Sequence, residues 1–366
     1  MNLRILVFFY IFLLFVSSVS SFSKPTQTSR HTIINMPHPT SQPLFSALVT
    51  APAVDIIRTT VGLVLARRIS KSGLRKRSLS NSGALSAFIV ASLSLATSWR
   101  NGITLLAFYW TSSKLTRLGS KIKSNFEEGV TEGGERGASQ VLACSLIGVV
   151  CACIRRLVVG RDGPLLLLTG ARSAVTSPSL ALFGDQLTLA YVAFFACCAG
   201  DTWASELGIL SKTPPRLITK PWQVVKPGRN GGVSFVGLVA SAAGGILMGL
   251  LHGVFVPGGI AALLPFLSSS ITNSLALSQF KREIAVLTFV GFLGGFGGSL
   301  LDSLLGATIQ ATYYDESAKK IVKRPGPTAR NMGGWGFLSN EMVNVVSTAL
   351  SALAAALIAR PLLANI

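Results

Sequence analysis

Acidic residues are scarce in this chain. Only 14 Asp and Glu stand against 33 Lys and Arg in 366 residues, and charged residues make up 13% of the total, where a soluble globular domain carries about 25%. Histidine is rarer still: His31, His38 and His252 are scattered along the chain, so a Ser/His/Asp or Cys/His hydrolase finds no support. The five cysteines, Cys144, Cys151, Cys153, Cys197 and Cys198, all fall inside apolar runs without zinc-finger spacing. They read as small hydrophobes and not as a disulfide framework or metal cluster. No GxxxxGK[ST] run occurs, which argues against a Walker-type nucleotide loop.

What abounds is apolar. A hydrophobic content of 49% and a mean hydropathy of +0.55 define a polytopic membrane protein. Candidate spans cover Leu44 to Ala66, Gly83 to Thr97, Gly102 to Ser113, Ala138 to Ile154, Pro164 to Phe183, Gln186 to Gly200, Val233 to Val256, Gly258 to Leu277, Ile284 to Ile309 and Val343 to Leu363. Several are shorter than the ~20 residues of a perpendicular helix, so about six to eight true spans are expected, some of them short or broken. The formal charge of +19 is concentrated in short loops, such as Arg67 to Arg77 and Lys114 to Lys123. Such clusters set topology and contact anionic lipid heads. With no nucleic-acid reader motif beside them, nucleic acid is not an expected partner.

The amino terminus reads as an address. Arg4, the core ILVFFYIFLLFV and then SSVSS have the order of a signal peptide, taken as residues 1–21. Residues 22–50 hold no acid and are rich in Ser, Thr and Pro, as transit peptides are. Together, with Phe22 at the junction, they resemble a bipartite presequence for a plastid of secondary origin. The alternative is a plain signal peptide leading to the endoplasmic reticulum or another endomembrane. The membrane domain is expected over residues 51–366.

Against this background four polar groupings stand out. Asp201, Thr202, Ser205, Glu206 and Gly208 follow the apolar run QLTLAYVAFFACCAG, and an ionisable residue at the edge of hydrocarbon is a functional candidate by default. Two neighbouring carboxylates suit Mg²⁺, which takes one or two of them and leaves places for phosphates. Next, KPWQVVKPGRNGGVS carries Lys220, Lys226 and Arg229 among Gly228, Gly231 and Gly232, where turned backbone amides and cations can hold an anion. Pro-Gly and Asn-Gly are also ordinary turn signals. In the third grouping Ser299, Asp302, Ser303, Gly306 and Gln310 share one side of a helix, and in the fourth Asn340, Asn344, Ser347 and Ser351 form a stripe near Glu341. Such stripes often serve interhelical hydrogen bonding.

GDTWASELG, PRLIT, PGRNGGVS, LLDSLLGATIQATYYDES and the late VN, with NSGALSAF, AFYWTSSKLTRLGSK and EGGERGASQVLA upstream, resemble a family of integral membrane proteins, closest to its transmembrane protein 19 branch. That family also contains plant phytyl-phosphate kinase. The likeness runs from about residue 81 to the end. It implies an all-α membrane fold and, as a candidate reaction, transfer of a phosphoryl group from CTP or ATP to an isoprenoid monophosphate.

Under that resemblance Asp201 and Glu206 are the catalytic candidates, and Asp201, Glu206 and Asp302 would hold Mg²⁺. From the residues themselves, Lys114, Lys226, Arg229, Gly231 and Gly232 are the candidates to bind phosphate in such a transfer, with Thr202, Ser205, Ser234, Gln310, Asn340 and Asn344 as polar support. The chain departs from the branch at Cys144, Arg229 and Ser339 to Glu341, which bears on the later polar contacts more than on Asp201. An ion-coupled transporter with broken spans and intramembrane acids, or a non-catalytic scaffold or signalling protein, remains open. A fluorescent reporter fused behind residues 1–50 is expected in the plastid; retention in the endoplasmic reticulum or secretion would overturn the presequence reading.

Overall fold

A computed structural model describes residues 44–126, 135–160, 162–169, 177–257, 272–322 and 325–364. The expected signal peptide, and the transit-like segment up to residue 43, lie outside these. Three helices come first: α1 (Leu44–Arg75), α2 (Asn81–Thr97) and α3 (Trp99–Lys123). Ser80 caps α2 by accepting from the Gly83 amide at 3.1 Å, and Ser98 caps α3 through the Arg100 amide at 3.2 Å, as N-terminal serines do. The span expected over Ala138 to Ile154 breaks at Cys144 and Ser145 into α4 (Ala138–Ala143) and α5 (Leu146–Val159), and Gly160 closes α5 at a φ of 78°.

The short α6 (Leu166–Thr169) leads towards α7 (Pro178–Gly208). Two separate spans were expected over Pro164 to Phe183 and Gln186 to Gly200, but Gly184 and Asp185 lie inside one 31-residue helix. Neither residue breaks it, because the Asp185 carboxylate accepts from the Leu166 and Leu167 amides at 2.9 and 2.8 Å. Every residue of α7 from Gly184 to Gly200 is buried, and a helix that is apolar all round belongs at the centre of a bundle. Helices α3, α5, α8 (Phe235–Val254), α9 (Thr272–Phe292), α10 (Gly298–Thr308) and α11 (Asn340–Ala364) pack around it.

Among the described residues, four helices are long and apolar enough to cross a membrane: Pro178–Gly208, Phe235–Val254, Ala276–Thr308 and Asn340–Ala359. The remaining candidates are the 17-residue α2, the halves α4 and α5, and α1 and α3, whose C-terminal halves carry several Lys and Arg. The span expected over Gly258 to Leu277 falls largely outside the described residues.

Glycine sets how closely the core helices approach. A methyl group on Gly245 of α8 would meet the Gly291 carbonyl and lie 2.8 Å from the Gly295 Cα, and one on Gly200 of α7 would also lie 2.8 Å from the Gly295 Cα. Between α9 and α10 the helix widens into a π turn, Leu293–Gly297, a local irregularity that often accompanies functional sites.

The connections after α7 and α10 are not plain loops. They form two small antiparallel sheets, β1 (Arg216–Leu217), β2 (Lys220–Val224) and β3 (Gly232–Val233) in the order β2-β1-β3, then β4 (Thr312–Asp315), β5 (Lys320–Val322) and β6 (Ala329–Gly333) in the order β5-β4-β6. Aromatic and β-branched residues at Trp222, Val224, Tyr313, Tyr314, Ile321 and Val322 suit these strands. Gly245→Val is expected to destabilise the chain by about 1–3 kcal/mol, since backbone cannot move aside as a side chain can. Gly297→Ala, which meets nothing within 4 Å, should shift stability by under about 0.5 kcal/mol; unfolding in mixed detergent micelles measures both.

Candidate functional site

Asp201 and Asp302 are brought together. Asp201 lies near the end of α7 and Asp302 one turn into α10, and their carboxyls stand within hydrogen-bonding reach of each other. From α11, Ser347 donates to Asp302 Oδ1 at 2.8 Å. Two like charges side by side in apolar surroundings require a shared proton or a bridging cation. Glu206 stands apart, since five residues on carry it about 140° round the helix. It is buried and pairs with Lys123 of α3 at 3.4 Å, while its other oxygen has no protein partner. No group of three Asp, Glu, His or Cys side chains able to hold a metal occurs among the described residues. The three-carboxylate metal site expected from the sequence is therefore not assembled. A pair of carboxylates still fits Mg²⁺, which completes its shell from water and phosphate.

A cavity of about 90 Å³ reaches Thr202, the neighbour of Asp201, although neither carboxylate of the pair lines it. Its lining mixes apolar Leu79, Val90, Leu105, Phe108 and Phe195 with polar Arg136, Gln140, Cys144, Thr202 and Asn344. Arg136 is held in that wall by a bridge to Leu79, its carbonyl accepting from the Ser80 amide at 3.1 Å. The charge of Arg136 is felt at Cys144, as is that of Asp302, and Lys123 acts on Asp201 as well as on Glu206. Arg136 and Lys123 were not singled out in the sequence. Both lie in apolar-to-polar transitions of the kind that drew attention to Asp201, but loop cations are too common here to distinguish them.

The basic glycine loop lies elsewhere than expected. Lys226 sits 3.4 Å above the Tyr314 ring, and Arg229 donates to the Met332 carbonyl at 2.7 Å. Asn230 reaches the Ala311 carbonyl at 3.3 Å. These contacts stitch the two sheets together, so Lys226 and Arg229, expected to grip phosphate, have structural engagements here. Gly232 spends its amide on the Arg229 carbonyl at 3.0 Å, and Gly231, at a φ of 76°, packs against Ala307 and Ser303. Lys114 is exposed on α3, away from the cavity lining.

The supporting residues divide. Thr202 and Asn344 line the cavity. Ser205 bonds its own helix at Thr202, and Gln310 meets Asn340 at 3.5 Å on the surface. Ser234 caps α8 through Gly237 at 3.1 Å and donates to the Gly208 carbonyl at 3.3 Å, which ties the end of α7 to the start of α8. Outside the membrane, Ser317, the Ala318 amide and Thr328 hold the Asp315 carboxyl down at about 2, so its turn already claims it.

Residues 64–352 match the family described as Integral membrane protein DUF92. The chain belongs to that family. Among its relatives, Protein PGR of Arabidopsis thaliana is 34% identical over 297 residues, 80% of this chain and 93% of its own length. Protein VTE6, chloroplastic, of the same plant is 25% identical over 291 residues, 78% of this chain and 67% of its own. An uncharacterized membrane protein of Methanocaldococcus jannaschii is 30% identical over 180 residues, 49% of this chain and 55% of its own. No solved structure matches the chain.

At the far end of α7, about 24 Å from Asp201 by helical rise, this family member carries a second ionic centre. The fully buried Arg100 donates to Glu283 at 2.9 Å and to the Gly163 carbonyl at 2.5 Å, and pairs with Asp162 at 3.2 Å. Arg155 also donates to Gly163, at 3.2 Å. Glu283 in turn accepts from the Leu165 amide at 3.2 Å. The sequence shows this centre less plainly: Asp185 adjoins an apolar run as Asp201 does, but Glu283 follows Lys281 and Arg282, which read as its local partners. Glu283→Ala is expected to cost about 3–5 kcal/mol, because it leaves the buried Arg100 and Arg155 with Asp162 as their shared acid. Asp55→Ala removes a partly exposed carboxylate shared by Arg156 and the buried Arg58, which keeps its bonds to the Ala96 carbonyl, and should cost less, about 1–2 kcal/mol; unfolding of the two purified variants separates these outcomes.

Proposed function

We propose that this protein transfers a phosphoryl group from a nucleoside triphosphate, CTP or ATP, to an isoprenoid monophosphate of phytyl type. The observation that carries the reading is a largely apolar cavity whose wall also holds Arg136, Thr202 and Asn344, with Thr202 next in the chain to Asp201 of the carboxylate pair. Its volume admits the first carbons of a chain, and the remainder would lie against lipid. In the transfer, an oxygen of the prenyl monophosphate forms a bond to the γ-phosphorus, the bond to the bridging oxygen breaks, and nucleoside diphosphate leaves. Such chemistry depends on positioning and on charge stabilisation.

Asp201 and Asp302 would hold Mg²⁺, which when bound neutralises charge on the phosphates. Arg136 and Lys123 orient the acceptor phosphate, and Ser347 fixes the Asp302 rotamer. Within the family, the motifs favour the transmembrane protein 19 branch. The bipartite presequence, together with a relative named chloroplastic, favours a plastid membrane.

A second reading, an ion-coupled carrier, draws support from the buried ionic centre at the opposite end of α7. The two are separated by incubating the purified chain with Mg²⁺, CTP or ATP and phytyl phosphate, and reading the products by mass spectrometry. Wild type is expected to yield the diphosphate. Asp201→Asn and Asp302→Asn should each lower kcat by at least about a hundredfold. Arg136→Gln should chiefly raise KM for the prenyl phosphate, since it removes one charge from the acceptor side. Full turnover in Asp201→Asn would overturn the assignment of that residue, and absence of any diphosphate from the wild type, with ion-dependent flux in vesicles, would put the carrier first.

A further inference from the structure

The outer face of α1 changes character along a single stripe. Ile57, Val61 and Val64 are exposed, at 62%, 40% and 49%. Arg68, Lys71 and Arg75, also exposed, continue the same three-and-four spacing. The stripe cannot rotate inward, because the opposite face is seated: Gly62 is against Leu95, Ala66 is fully buried, and Gly73 lies against Leu79 and Tyr109. No acidic residue occurs on α1 after Asp55. The basic end borders an open cavity of about 350 Å³ lined by Arg68, Lys71, Ser72, Arg75 and Lys76.

Helix α3 marks the same level independently. Trp110 is exposed at 57%, and the exposed Lys114 and Arg117 follow it on one face, the order of hydrocarbon, aromatic belt and headgroup cations. Tyr109, beside Trp110, accompanies Gly73 and hydrogen-bonds Ser78 at 3.0 Å. The apolar-to-basic change on α1 therefore lies at the membrane interface.

We propose that this face is a binding site for an anionic phospholipid, its phosphate on Arg68, Lys71 and Arg75 and an acyl chain along Ile57, Val61 and Val64. Three cations on one stripe match a single phosphate, and the apolar residues directly below them match the chain attached to it. A free phosphate would use only the basic half. Cations that act only as topology determinants would need no alignment with an apolar stripe.

Phosphatidylglycerol is titrated into the full chain in phosphatidylcholine nanodiscs, and bound lipid is counted by native mass spectrometry. Arg68→Gln/Lys71→Gln/Arg75→Gln is expected to weaken retention roughly a hundredfold, at about fivefold per cation. Arg67→Gln/Arg77→Gln/Lys212→Gln, with the same loss of charge off the stripe, should retain the lipid as wild type does. Val61→Asn/Val64→Asn, which interrupts the apolar stripe without changing charge, should also weaken retention. Equal losses in the two triple variants would overturn the site in favour of diffuse attraction. Competition by glycerol phosphate at the lipid's own concentration would overturn it in favour of a free-phosphate site.

Discussion

An ionised side chain left facing hydrocarbon costs at least ~2.5 kcal/mol on insertion scales, and α7 carries three carboxylates. Each is met by a group from another segment: Asp185 by the amides of Leu166 and Leu167, Asp201 by the Asp302 side, and Glu206 by Lys123. That requirement puts α7 at the centre of the bundle, with other helices drawn round it to supply partners. It also divides the molecule into two polar ends joined by a fully buried apolar middle.

Close approach makes those meetings geometrically possible. Gly200 precedes Asp201 and touches Gly295, and Gly245 lies against Gly291 and Gly295, so three helix backbones converge immediately beside the site. The π turn over Leu293–Gly297 sits just before α10, with Asp302 about one turn beyond its end. Packing of small residues, which in a membrane replaces the hydrophobic drive between helices, is thus coupled to where the carboxylates point. Substitutions at these glycines would disturb site and stability together.

The cations follow a different logic. Lys226 and Arg229 hold one sheet to the other, while Lys123 and Arg136 stand by the carboxylate pair and the cavity. Charge of the same sign serves as structural stitching at one place and stands beside acids and a cavity wall at the other. The difference lies in what faces each head: an aromatic ring and a carbonyl in the first case, acids and an open polar wall in the second.

Membrane class, helical periodicity and the candidacy of Asp201 and Asp302 were legible in the sequence itself, because each depends on local facts: run length, three-and-four spacing, and a charge flanked by apolar residues. The stripe of Asn340, Asn344 and Ser347 was visible for the same reason. Tertiary structure alone decided the unity of α7 across Gly184 and Asp185, the departure of Glu206 to Lys123, and the engagement of Arg229 with Met332 more than a hundred residues away. It also decided the pairing of Arg100 with Glu283, 183 residues apart. A buried charge announces in sequence that it needs a partner. Which of many loop cations or distant acids becomes that partner is set by helix packing, and no local pattern encodes it.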